Sequence, residues 1–118
     1  MAQRSQKGVK QPDAVWAMNG LKVAIEVELT AKWDRLLDQF VDSCVVSLTE
    51  QNGKGPRFNQ ILLATDSPAI ANRYKAAFEP GQNYGMWKKE AKSGRWNLDS
   101  TRTVPDWIDG KFVCKLFD

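Results

Sequence analysis

The chain reads as one α/β domain, a mixed sheet flanked by two main helices, and three features predict it. An Asn19-Gly20 pair separates two runs with strand character, and an apolar stripe at helical spacing runs from Trp33 to Leu48. A continuous apolar run, Ile61-Leu62-Leu63-Ala64, then precedes a Ser67-Pro68 helix start. At 118 residues the chain suits one domain with its own core rather than two.

Residues 1 to 11 carry Arg4, Lys7 and Lys10 without an apolar stretch and read as a flexible basic arm. The remainder, residues 12 to 118, reads as the folded domain. Ala14 to Met18 is a short apolar strand, and Asn-Gly is the strongest signal for a two-residue hairpin turn. Leu21 to Thr30 is its partner. Leu21, Val23, Ile25, Val27 and Leu29 alternate with Lys22, Ala24, Glu26, Glu28 and Thr30.

Thr30 is the expected N-cap of the first helix. Trp33, Leu36, Leu37, Phe40, Val41, Cys44, Val45 and Leu48 form one face of that helix. It is expected to cover the apolar side of the sheet. Gln51 to Arg57 is a loop rich in turn residues. Phe58 to Ala64 reads as a strand buried on both sides. The second helix runs from Ser67-Pro68 to about Phe78, where Pro80-Gly81 ends it. Asn83 to Trp107 is expected to be irregular, and Lys111 to Phe117 is a last short strand.

Composition narrows the chemistry. The chain has no histidine, which removes Ser-His-Asp hydrolysis, Cys-His proteolysis and His-based zinc catalysis. Cys44 and Cys114 sit in apolar stretches, too few for a structural zinc site and suited to a reducing cytoplasm. No apolar run is long enough to span a bilayer, and the polar start is not a signal peptide. A net charge of +3 permits nucleic-acid binding without requiring it.

Glu26 and Glu28 stand two residues apart on one strand face, about 7 Å from each other. Asp13 precedes the neighbouring strand, and Lys32 follows shortly after the second. Carboxylates gathered at one point need a compensating cation or protons, and oxygen ligands of this kind suit Mg²⁺ or Mn²⁺. The alternation fits two readings: a metal site, or a solvated sheet face on which Lys22 pairs with the acids.

The segment from Pro12-Asp13 through Glu26-Val27-Glu28-Leu29-Thr30-Ala31-Lys32 resembles the PD-(D/E)XK nuclease-like superfamily. It is most similar to the replication-relaxation family of plasmid and mobile-element proteins. The resemblance covers roughly Pro12 to Ala64. It implies a restriction-endonuclease-like sandwich and a metal-dependent DNA endonuclease, with Asp13 and Glu26 as metal ligands and Mg²⁺ or Mn²⁺ as cofactor. Glu28 stands where the superfamily usually has lysine, and Lys32 would supply that lysine from the helix. Gln39 resembles a helix-borne glutamine of some members, and on the residues alone it reads as solvated. The resemblance further implies DNA and a second copy of the chain as partners, and the cysteines and the lack of a long apolar run lead to the expectation of a cytoplasmic protein without a membrane partner. The alternative is a nuclease-like module that binds DNA or protein in plasmid replication, mobilisation or defence without turnover.

Met86 to Thr103 interleaves Lys88, Lys89, Lys92 and Arg95 with Trp87 and Trp96. Lys88, Lys89, Lys92, Arg95 and Trp96 are candidates for contacting a nucleic-acid backbone and stacking on bases. The same pattern also fits tryptophans plugging the core edge under a loop kept soluble by its lysines.

Overall fold

A computed structural model of the chain describes residues 12–50 and 53–117, and the basic arm expected over residues 1–11 lies outside them. The element order is β1 (Ala14–Met18), β2 (Leu21–Val27), α1 (Asp34–Leu48), β3 (Gln60–Thr65), α2 (Pro68–Ala77), β4 (Asn83–Lys89), β5 (Trp96–Thr103) and β6 (Phe112–Leu116). The main sheet has the order β1-β2-β3-β6. β1 and β2 are antiparallel, whereas β2, β3 and β6 run parallel. This is the mixed sheet with two helices expected of the α/β class.

The β1–β2 hairpin forms as the Asn-Gly pair dictates. Asn19 and Gly20 have φ of 51° and 81°, the left-handed pair that a type I′ turn requires. Ser67 caps α2 by accepting a hydrogen bond from the Ile70 amide at 3.3 Å, and Pro68 occupies the first turn.

Both helices lie on one face of the sheet. The chain steps from β2 to β3 to β6 in a single direction across it. Parallel crossovers are right-handed almost without exception, so two crossovers stepping the same way land on the same side. Phe40, Val41, Cys44 and Leu48 of α1 and Ile70 and Tyr74 of α2 meet Ala24, Ile61 and Leu63 of the sheet in one core. Phe78 stacks on Phe112 at 3.6 Å between centroids.

That placement reverses the expected polarity of β2. Ala24, Glu26 and, just beyond the strand, Glu28 are buried, while Leu21, Val27 and Leu29 are exposed. α1 covers the acidic side, not the apolar one. β3 is likewise not buried on both sides. Ile61, Leu63 and Thr65 are buried under the helices, and Gln60, Leu62 and Ala64 on the other face are half-buried.

Two further expectations change. α1 begins at Asp34 with Trp33, not Thr30, in the cap position, so Lys32 belongs to the connecting segment before the helix. Asn83 to Trp107 is largely ordered: β4 and β5 form an antiparallel hairpin with an irregularity between Met86 and Trp87. This hairpin packs on α1. Trp87 Nε1 donates to Asp38 Oδ2 at 2.9 Å, and Arg102 meets Asp42 at 3.5 Å. Gly85 permits the approach, because a Cβ there would stand 2.6 Å from Leu98 Cδ1 and 2.8 Å from Asp38 Oδ2.

Candidate functional site

The acidic residues of β2 lie beneath α1, on the side where Lys32 also sits. Glu28 is 6% exposed, and an ionised carboxylate at that depth requires partners. Lys32 Nζ donates to Glu28 Oε1 at 2.6 Å, and the Tyr74 hydroxyl donates to Oε2 at 2.9 Å. The same hydroxyl accepts a hydrogen bond from the Lys32 amide at 3.3 Å. These bonds tie the bent segment from Glu28 to Lys32 to Tyr74 of α2. Burial foremost, then the hydrogen bond to Glu28 and its charge, push the Tyr74 phenol well above its ordinary value.

Glu26 is 5% exposed. A small pocket beside it, about 20 Å³, is lined by Ala24, Phe58 and, from α1, Ser43, Cys44 and Ser47. That volume holds a single water-sized species. Asp13 is exposed and lies just before the pair Ala14 and Ile25 in the hairpin register, which sets it opposite Glu26. Its Oδ2 accepts a hydrogen bond from the Val27 amide at 2.7 Å, replacing the ladder bond that β1 is too short to supply. The fold therefore brings Asp13, Glu26, Glu28 and Lys32 to one end of β2.

Among the described residues no group of three or more His, Cys, Asp or Glu side chains is arranged to hold a metal ion. Glu28 is engaged by Lys32 and Tyr74, and Asp13 and Glu26 are the other two carboxylates at this end of β2. Such a pair fits Mg²⁺, which is commonly held by one or two carboxylates with waters and substrate phosphates completing its shell.

A cleft of about 510 Å³ adjoins this site between α1 and β4, lined by Lys32, Gln39, Phe40, Ser43, Met86 and Trp87 among others. Gln39 is thus a half-buried cleft residue, not a solvated one, and accepts a hydrogen bond from Arg35 at 3.0 Å. The basic candidates gather at the turn of the β4–β5 hairpin. Lys88, Lys89, Lys92 and Arg95 are exposed. Trp96 is 37% exposed and lies under the Arg35 guanidinium at 4.2 Å, with Lys89 Nζ 5.9 Å from its ring. Arg35 stands in the first turn of α1, so the hairpin turn and Lys32 share one end of that helix.

Sequence reasoning did not single out Tyr74, Asp38, Asp42, Ser43 or Ser47. Asp38 and Asp42 carried a usable signal, being four residues apart on the polar side of the first helix. Tyr74 carried none, since its partner is 46 residues away. No family model matches the chain, and neither a curated protein nor a solved structure shows significant similarity to it.

Proposed function

We propose that the chain is a restriction-endonuclease-like domain that cleaves phosphodiester bonds of plasmid or mobile-element DNA with Mg²⁺ or Mn²⁺. The observation that carries this reading is the burial of Glu26 and Glu28 on the helix side of β2, with Asp13 and Lys32 at the same strand end. A cation beside carboxylates in a partly desolvated site offsets part of the cost of burying them. Asp13 and Glu26 would hold the metal, which when bound would polarise a phosphate and lower the pKa of a water. Lys32 supplies positive charge at the mouth of the adjoining cleft, and Glu28 and Tyr74 fix its position. Exposed Lys88, Lys89, Lys92 and Arg95 would contact phosphates flanking the scissile one.

The experiment is incubation of supercoiled, linear and branched DNA with Mg²⁺ or Mn²⁺. Wild-type cleavage that Glu26→Ala abolishes supports the proposal. Cleavage that Glu26→Ala leaves unchanged would sink it.

One observation favours a second reading, a nuclease-like DNA-binding module without turnover. Lys32, the lysine that follows the acids, is committed to Glu28 at 2.6 Å. Salt-dependent DNA binding that survives Glu26→Ala, with no cleavage by the wild type, selects that reading.

A further inference from the structure

The cleft of about 510 Å³ between α1 and β4 lies within the size range of small-molecule sites. Its two walls differ in chemistry. Gln39, Ser43 and Ser47 stand four residues apart along α1 and form one hydrogen-bonding row. Met86 and Trp87 of β4 line the other wall, and both are half-buried. A wholly apolar ligand would desolvate the row without replacing its hydrogen bonds. A flat ring with polar edges suits both walls at once. Its face packs on Trp87 and Met86, and its edge meets the amide and hydroxyls.

Cations stand at one end of this cleft. Lys32 lines it, and Arg35 Nη1 donates to Gln39 Oε1 at 3.0 Å, which fixes a guanidinium beside the row. Arg35 also lies over Trp96 at 4.2 Å, with Lys89 Nζ 5.9 Å from the same ring. Glu28 offsets the charge of Lys32, so Arg35 and Lys89 supply the surplus. Asp42 also lines the cleft, and its charge is offset by Arg102 at 3.5 Å.

We infer that this cleft receives one unpaired nucleotide of a DNA strand, its base against Trp87 and Met86 and its phosphate at the Arg35 end. The inference rests on the reading that the chain acts on DNA, and it narrows the substrate to strands with unpaired bases. A base inside a duplex is stacked on both faces and paired along its edge, so it enters a cleft only by leaving the helix. Glutamine amides pair with base edges, and aromatic rings stack on any base. Lys32 belongs both to the cleft and to the acidic end of β2, so the seated nucleotide lies beside the candidate metal site.

Fluorescence anisotropy of labelled DNA, in EDTA and about 50 mM salt, tests it. The probes are a single strand of ~12 nucleotides and a blunt duplex of the same sequence. The expected result is a single-strand affinity at least about tenfold above the duplex affinity. Val46→Trp occludes the cleft from a position 40% exposed, and Gln39→Ala removes the amide. Each should reduce the preference to within about twofold while keeping the wild-type circular dichroism spectrum. A wild type that binds both probes equally, or neither, overturns the inference, and that comparison needs no variant. So does a preference that both variants retain. EDTA removes any dependence on cleavage. A nuclease lacking the preference overturns this inference alone, whereas a preference without cleavage in Mg²⁺ overturns only the nuclease reading.

Discussion

Tyr74→Phe isolates the polar network that ties the end of β2 to α2. Tyr74 is fully buried, and the substitution removes one oxygen without opening a side-chain-sized cavity. What is lost is a donor to a buried carboxylate at 2.9 Å and an acceptor for the Lys32 amide at 3.3 Å. A hydrogen bond to a charged group contributes about 1.5–3 kcal/mol, and the longer neutral one about 0.5 kcal/mol. The expected destabilisation is therefore about 2–3 kcal/mol. In urea, with an m-value near 2 kcal/mol/M, the midpoint should fall by roughly 1 M with unchanged slope. Tryptophan fluorescence reports the transition. A double-mutant cycle with Glu28→Gln assigns the loss to the pair, and a coupling of at least about 1 kcal/mol is expected. A destabilisation under ~0.5 kcal/mol, or additive single mutants, would refute the claim that Tyr74 holds Glu28.

Two other predictions concern pH and packing. Burial raises the Tyr74 and Tyr84 phenols and the Cys114 thiol above their ordinary values, with Glu28 and Asp42 adding to the effect at the two tyrosines. The unfolded chain therefore releases these protons first. Stability should be intact below about pH 8 and decline as pH rises through about 9 to 10 and beyond. Tyr74→Phe should flatten that decline in urea melts at fixed ionic strength, and an identical slope in the variant would count against it. Gly85→Ala should cost about 1–3 kcal/mol, because its Cβ would crowd Leu98, Asp38 and the Trp87 indole that Asp38 accepts from. Calorimetry measures it, and an unchanged Tm would show that the hairpin can withdraw from α1 without penalty.

The local elements were legible because their causes are local. Asn19-Gly20 sets a turn of the correct hand, Ser67-Pro68 starts a helix, and the apolar spacing of Phe40, Val41, Cys44 and Leu48 buries one side of another. The β4–β5 hairpin was missed for a comparable reason. β5 is exposed along its whole length, and the hairpin is held by Asp38 and Asp42 of a helix some 45 to 60 residues earlier, so no apolar alternation announces it.

The acids on β2 show where the sequence stops. It determined that Glu26 and Glu28 share a face, since side chains alternate with a period of two. It could not determine which face turns inward, and hydropathy pointed to the wrong one. The tertiary structure decided that through the handedness of two successive parallel crossovers, which carries both helices over the acidic side. A partner for buried Glu28 then came from Tyr74, a residue brought near only by folding. The apolar side was left exposed by the same geometric constraint.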